Sequence, residues 1–156
     1  MESGRKWRVV NNISSRGEFR HNMDAKFRVV LPAKFRDELG EKFVLTKGLD
    51  ACLFAFSLKA FEELEEKVKK LPLTDTGVRK FVRFFFGGAC DCEFDAQGRV
   101  VVPSHLRTYA DLKKEVLSMR VPGRIELWGS EKWDDYNGED NHIDQELAEK
   151  LTELGI

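Results

Sequence analysis

An aspartate followed four residues later by an arginine is the spacing in this chain that most clearly suggests chemistry. It occurs twice, as Asp24 with Arg28 and as Asp95 with Arg99. The carboxylate can accept hydrogen bonds from the next backbone N–H groups and close a tight turn. The arginine fork can bind a phosphate, or the O6/N7 edge of guanine, with two bonds. The motif alone leaves two interpretations open: the arginines contact nucleic acid, or each arginine only pairs with its aspartate and holds the turn.

Both motifs lie in an internal repeat. Residues 24–32 align with residues 95–103, and six of the nine aligned pairs are identical. The match continues from Phe35 and Arg36 onto Leu106 and Arg107. The chain therefore holds two copies of one unit, from roughly 17 to 69 and from roughly 88 to 140.

The two units predict the same order of elements: the turn, a strand, a short helix that begins at a proline, two more strands and a longer helix. The predicted strands cover 29–31, 42–46, 52–56, 100–102, 115–118 and 124–128. The short helices cover 33–39 and 104–109, and Ser57 and Ser130 are predicted caps of the longer ones. Three short strands cannot bury their faces alone. We therefore expect an α+β fold in which the units pair about a pseudo-twofold axis as a small intertwined barrel with the helices outside.

A connecting helix is predicted between the units, over residues 72–87, with Thr74 or Asp75 as its cap. One side of this helix is apolar and the other is basic. The basic side is either a second DNA-facing patch or, the more frequent case, a solvated helix face. Its residues are Arg79, Lys80 and Arg83.

The net charge of −1 hides a basic head and an acidic tail. Residues 1–36 hold nine Lys or Arg against three acids, whereas residues 131–156 hold two Lys against nine acids. Within the tail, a loop is predicted over 137–141 and an acidic helix over about 143–154. Phosphate contacts depend on the local field, so the head is suited to DNA despite the low net charge. The alternative is that both ends are merely solvated.

The types of residue present, and their spacing, exclude several classes of function. No apolar run approaches the length of about 18 residues that a membrane span needs, and no signal peptide precedes the repeat, so we expect a cytoplasmic protein. Cys52, Cys90 and Cys92 form neither a disulfide framework nor a zinc pattern. His21, His105 and His142 have no spaced ligand partners, and the sequence contains none of the GxSxG, HExxH or GxxxxGK[ST] motifs. We expect no enzyme activity, no metal and no cofactor.

Four segments follow one another within about residues 16–136: the opening GEFRHN at 17–22, the Asp–Arg segments at 24–36 and 95–103, and the central segment RKFVRFFF at 79–86. In these segments the chain is similar to the MraZ family of bacterial transcriptional regulators, whose two D-x-x-G-R blocks the Asp–Arg segments resemble. These blocks occur in the family's order. The resulting division is a basic extension (1–15), a first repeat (16–71), the connecting helix (72–87), a second repeat (88–136) and an acidic tail (137–156).

The resemblance implies an AbrB-like swapped-hairpin fold, doubled within one chain, and a homo-oligomeric closed ring of the octamer or dodecamer class. It implies binding of double-stranded DNA at short direct repeats in the promoter of the protein's own division and cell-wall gene cluster, usually to repress, at the nucleoid. It implies no small-molecule substrate, cofactor or membrane. Two alternatives stay open: a ring-forming structural or protein-interaction module, and an antitoxin-like partner that acts through the acidic tail.

The resemblance also places the DNA-facing surface on the two motif turns. The predicted DNA-binding residues are Asp24, Lys26, Arg28, Gln97, Gly98 and Arg99, with Arg20 and Lys34 from the basic head, and Asp95 matches Asp24. Two positions depart from the family: Phe27 stands where the family has Gly, and Gln97 stands where a basic residue is common. A bulky residue fits poorly where φ is positive. Phe27 therefore either alters the first turn or is tolerated at an exposed tip.

Overall fold

A computed structural model describes residues 17–138 and 143–156 of the chain. The predicted basic extension, residues 1–15, lies outside the described residues, as do His142 and residues 139–141 of the predicted loop. Across the described ranges, no helix has the length and apolar character needed to cross a membrane.

Within the described ranges, eight strands and six α-helices follow one another in an order that repeats once. The first unit holds β1 (Glu18–Asn22), β2 (Arg28–Val30), α1 (Ala33–Leu39), β3 (Lys42–Lys47), β4 (Leu53–Ser57) and α2 (Leu58–Lys69). The connecting helix is α3 (Thr76–Phe85). The second unit holds β5 (Cys90–Glu93), β6 (Arg99–Val101), α4 (Ser104–Ala110), β7 (Glu115–Val121), β8 (Arg124–Gly129) and α5 (Ser130–Gly138), and α6 (Gln145–Glu153) lies in the acidic tail. A short 3-10 turn, Leu49–Ala51, joins β3 to β4.

Six of the strands form one antiparallel sheet, in the order β1-β7-β8-β4-β3-β5. The two remaining strands, β2 and β6, pair with each other as a separate ribbon. The units exchange their edge strands, because β1 of the first unit pairs with β7 of the second and β5 of the second pairs with β3 of the first. The sheet has two open edges and does not close on itself, so the predicted barrel is not confirmed.

The two edge strands, β1 and β5, are absent from the sequence-based prediction. Their sequences, EFRHN and CDCE, lack the β-branched run that predicts a strand. Most of their side chains are exposed or only half-buried, because an edge strand packs on one neighbour and its polar residues remain in water. Their pairing comes from long-range contacts with the other unit, which local composition does not show.

Each face of the sheet is buried, and strand alternation sorts the side chains between the faces. On β4, Leu53 and Ala55 join the core beneath the ribbon, α1 and α4. Phe54 and Phe56 point to the opposite face, where they pack with aromatic residues of α2, α3 and α5. The ribbon contributes Val29 and Val100 to the first of these cores. The ribbon is thereby held against the sheet by its inner face.

Polar side chains cap the helices at two of the predicted positions. The Ser57 hydroxyl accepts a hydrogen bond from the Ala60 N–H at the start of α2. Asp75, and not Thr74, caps α3 by accepting from the N–H groups of Gly77 and Val78, so this helix begins four residues later than predicted. Ser130 is not confirmed as a cap. It is the first residue of α5, and its Oγ is buried without a hydrogen-bond partner in the described part of the chain.

The exchanged strands predict that neither unit folds alone. A fragment of residues 17–87 lacks β5, β6 and β7, which pair with β3, β2 and β1. We expect it to show little ordered strand signal by far-UV circular dichroism and no cooperative thermal transition. Mixing it with a fragment of residues 88–156 is expected to restore both. A cooperative transition in the isolated first fragment would contradict the exchange.

Candidate nucleic-acid interface

The first Asp–Arg loop, residues 24–28, is closed by its aspartate. Asp24 Oδ1 accepts hydrogen bonds from the N–H groups of Lys26 and Arg28 at 2.9 and 3.0 Å. Asp24 Oδ2 accepts from Arg28 Nε at 2.7 Å. The backbone closes the same loop, because Asp24 N–H donates to the Arg28 carbonyl and Phe27 N–H donates to the Asp24 carbonyl, both at 3.0 Å.

The second Asp–Arg loop, residues 95–99, has the same bonds. Asp95 Oδ1 accepts from the N–H groups of Gln97 and Arg99, both at 2.9 Å, and Oδ2 accepts from Arg99 Nε at 2.8 Å. The Gly98 N–H donates to the Asp95 carbonyl at 2.9 Å. The structural interpretation of the motif is therefore correct for the Nε atoms: each aspartate pairs with its own arginine. The terminal Nη atoms are the part of each guanidinium that can bind another molecule.

The ribbon places both arginines on one outward face. Its register pairs Arg28 with Val101, Val29 with Val100, and Val30 with Arg99. Val29 and Val100 are buried on the inner face, so the alternation of a strand turns Arg28 and Arg99 to the other side. Val101 on that outer side is 54% exposed. The two arginines thus occupy diagonal positions on the outer face of the ribbon.

The two loops are also tied to each other across the repeat. Leu31 N–H donates to the Gly98 carbonyl at 3.3 Å, and Val102 N–H donates to the Phe27 carbonyl at 3.0 Å. In addition, Arg99 Nη1 lies 3.9 Å from Asp24 Oδ2. The loops therefore form one rigid unit, and a ligand would meet both of them in a fixed geometry.

Backbone hydrogen bonds hold the pKa of both loop aspartates below the ordinary value. The largest lowering contribution is the Arg28 N–H for Asp24 and the Arg99 N–H for Asp95, and the guanidinium groups add to it. The carboxylates are therefore ionised throughout the neutral range, as the hydrogen bonds require.

This lowering of the pKa predicts a loss of stability in acid. A carboxyl whose pKa is lower in the folded state stabilises the fold at pH values above the ordinary value of about 3.9. That contribution disappears as the pH falls through the folded-state pKa. We expect the melting temperature to drop between about pH 5 and pH 2, and to drop less in a variant with Asp24→Asn and Asp95→Asn. Equal acid sensitivity of the two proteins in a thermal-shift titration would count against this role.

The fourth position of each loop has positive φ, +62° at Phe27 and +77° at Gly98. The first loop keeps every hydrogen bond of the second, so Phe27 does not alter the turn. The residue is 46% exposed, in agreement with tolerance at an exposed tip. The guanidinium of Arg107 lies 3.5 Å from the ring centroid of Phe27.

Sequence reasoning missed two further arginines beside the loops, Arg36 of α1 and Arg107 of α4. Each lies against the loop of the other unit: Arg107 stacks on Phe27, and a Cβ added at Gly98 would lie only 2.7 Å from Arg36 Nε. Both also donate to the carbonyl at the end of their own strand, Arg36 to Leu31 and Arg107 to Val102. The repeat alignment places these two arginines opposite each other. Only the strand exchange brings them to the loops.

The other predicted site residues differ in their surroundings. Lys26 and Gln97 are exposed in the loops, and Lys34 is exposed in the first turn of α1. Arg20, in β1, is directed to acids instead: its Nη2 lies 3.1 Å from Asp134 Oδ1 and its Nη1 lies 3.6 Å from Glu115 Oε1. No hydrogen bond or ion pair among the described residues joins Arg20 to either loop.

Other chemically capable residues do not form a site in the described chain. Arg79 donates to the carbonyls of Leu73 and Thr74, so it anchors the α2–α3 connection, while Lys80 and Arg83 are exposed.

Burial raises the pKa of Cys52 and of Cys92 to about 12, so neither thiol is a nucleophile near neutral pH. Residues 17–138 and 143–156 contain no group of three His, Cys, Asp or Glu residues that could hold a metal ion.

Comparison with known proteins identifies relatives of the whole repeat. A family model described as "MraZ protein, putative antitoxin-like" matches twice, over residues 15–84 and 85–153, which agrees with the two-copy organisation. A protein named transcriptional regulator MraZ from Caldicellulosiruptor saccharolyticus is 55% identical over 140 residues, covering 90% of this chain and 98% of its own length. Proteins of the same name from Acetivibrio thermocellus and Clostridium tetani are 53% and 52% identical, with the same two coverages. These names describe regulators of transcription, in agreement with the prediction that the chain is not an enzyme.

Proposed function

This chain belongs to the MraZ family of transcriptional regulators, and we propose that it binds DNA in a sequence-specific way through its two Asp–Arg loops. The proposal includes repression of its own division and cell-wall gene cluster, through short direct repeats in the promoter. It places the protein in the cytoplasm, at the nucleoid. The observation that carries the proposal is the pair of arginines, Arg28 and Arg99, on the outer face of the ribbon.

The chemistry of that face suits a polyanion. Each guanidinium is oriented through Nε by an aspartate, so little conformational freedom is lost when its Nη atoms bind. Lys26 lies in the first loop, and Arg107 and Arg36 lie beside the loops. Contacts from this group to phosphates would position the protein, and contacts of an arginine fork to guanine would select the sequence.

A closed ring of subunits, of the octamer or dodecamer class, belongs to the same proposal. One chain offers two arginine-bearing loops, so a single site has modest affinity. A ring presents several identical sites, and spaced DNA repeats can engage them together. Linkage of that kind raises the overall affinity by roughly 10²–10⁴ without any new type of contact.

Fluorescence anisotropy tests the proposal with a duplex from the region just upstream of this gene and a scrambled duplex of equal composition. We expect the protein to prefer the upstream duplex and to lose affinity steeply as the salt concentration rises. Equal affinity for the two duplexes would indicate non-specific nucleoid packing. Absence of binding at low salt would favour a ring-forming structural or interaction module.

A second candidate function is the binding of a basic protein partner in the manner of an antitoxin. It is favoured by the acidic helix α6 and the residues that flank it: Leu147 within the helix is 39% exposed, and Ile143 before it and Leu154 after it are 65% and 74% exposed. A small basic protein that co-purifies with the full chain, and is lost when residues 143–156 are removed, would support this function. This result would not bear on DNA binding by the Asp–Arg loops, which the anisotropy experiment tests.

A further inference from the structure

The two Asp–Arg loops differ most at their fourth residue. In the second loop this residue is Gly98, which is buried and adopts φ +77° without strain. In the first loop it is Phe27, an aromatic residue at φ +62° that is 46% exposed. The left-handed region is unfavourable for a bulky L-residue. The first loop therefore holds its aromatic residue in a strained backbone conformation that a glycine would avoid.

The fold itself does not require this ring. Phe27 belongs to neither buried core, and the second loop makes the same hydrogen bonds with a glycine. The ring faces the Arg107 guanidinium, which is centred 3.5 Å from the ring centroid. Residues held in such sparsely populated backbone conformations cluster at active sites, ligand clamps and switch regions.

Phe27 also lies in the part of the chain proposed to meet DNA. It stands between Lys26 and Arg28, and the outer face of the ribbon begins at Arg28. Arg107 covers part of the ring, and the exposed part is apolar. Along the major groove, the apolar group that a duplex presents is the C5 methyl of thymine, which phenylalanine side chains contact in known complexes.

We propose that Phe27 is a specificity-determining residue that contacts a thymine methyl group, so that the two loops of one chain read different base pairs. This inference rests on the proposed DNA-binding function. The first loop would combine an arginine fork with an apolar contact to thymine. The second loop, with Gly98 at the same position, would have the arginine fork alone. A DNA box bound by one chain would then show a thymine requirement on one side only.

The test compares the upstream duplex with the same duplex in which deoxyuridine replaces thymidine. This replacement removes only the methyl groups and keeps base pairing. Wild-type protein is expected to bind the deoxyuridine duplex about four-fold more weakly for each contacted thymine. This ratio corresponds to the free energy of burying one methyl group. Phe27→Gly, which suits the backbone and places a glycine in both loops, is expected to bind the two duplexes equally. Phe27→Leu keeps an apolar contact and is expected to retain part of the discrimination.

The outcomes separate this inference from the function on which it rests. If wild-type protein does not prefer the upstream duplex over a scrambled one, the proposed function itself fails. If it does prefer that duplex, and Phe27→Gly shows the same thymine-to-uracil ratio as wild type, the inference is overturned and the function stands. The inference would also be overturned if Phe27→Leu lost the preference for thymidine over deoxyuridine as completely as Phe27→Gly. The ring would then act only by positioning Arg107. Circular dichroism and particle mass, unchanged in both variants, exclude a folding or assembly effect.

Discussion

Replacing both loop arginines, Arg28→Ala with Arg99→Ala, is expected to abolish preferential binding to the upstream duplex. An arginine that binds a guanine edge with two bonds contributes on the order of 1–3 kcal/mol, and the double variant removes two arginines from every subunit. We expect affinity to fall by about 10²-fold or more in fluorescence anisotropy. The fold should persist, because the alternation of the ribbon places both side chains outside the core.

The matched control for this experiment lies on α3. Lys80→Ala with Arg83→Ala removes the same two charges from exposed positions of the connecting helix. If the loops form the interface, this control keeps its preference for the upstream duplex and shows only a modest loss at low salt. A larger loss in the α3 variant than in the loop variant would move the interface to the basic patch of the connecting helix.

Removing the two loop aspartates, Asp24→Ala with Asp95→Ala, is expected to weaken DNA binding even though it removes negative charge from the interface. Each aspartate accepts two backbone N–H bonds and orients one guanidinium through Nε. Without them the loops lose their shape and the arginines lose their fixed direction. An entropy cost of about 0.5–1.5 kcal/mol for each arginine that must be reordered predicts a loss of roughly ten-fold.

The competing expectation comes from charge alone, which predicts tighter binding when two carboxylates are removed. Glu62→Ala with Glu63→Ala is a matched control, since both side chains are exposed on α2 and carry the same charge. If the aspartates orient the arginines, this control should bind DNA as tightly as wild type or slightly more tightly. Tighter binding by the Asp24 and Asp95 variant would show that the aspartates do not orient the interface.

The repeated Asp–Arg spacing predicts the two loops because the determinants of each loop are local. Five consecutive residues contain the acceptor, the N–H donors and the arginine, so the sequence is sufficient to predict the turn. The same holds for the strands after each loop and for the helices capped by Ser57 and Asp75. Phe27 is a departure that the sequence could identify, but only the structure shows that the turn tolerates it.

The features that sequence reasoning missed all depend on the exchange of strands between units. Strands β1 and β5 are short and polar, and their partners are in the other unit. Arg36 and Arg107 reach the loops for the same reason, since each belongs to the unit opposite to the loop it contacts. Two pairing half-units predict a small intertwined barrel, which is not confirmed, because the structure has an open six-stranded sheet with a separate ribbon. Local patterns carry no information about which unit supplies a strand's neighbour.

Site-specific photo-crosslinking shows which part of the protein contacts DNA, and so tests the proposed interface at the two Asp–Arg loops. A benzophenone amino acid is introduced at Lys26 in the first loop, at Gln97 in the second loop, or at Lys80 on α3, all of which are exposed. Each protein is irradiated with the labelled upstream duplex. We expect strong crosslinks from positions 26 and 97, which an excess of unlabelled upstream duplex suppresses and scrambled duplex does not, and weak crosslinks from position 80. Crosslinks confined to position 80 would contradict the assignment of the DNA interface to the Asp–Arg loops.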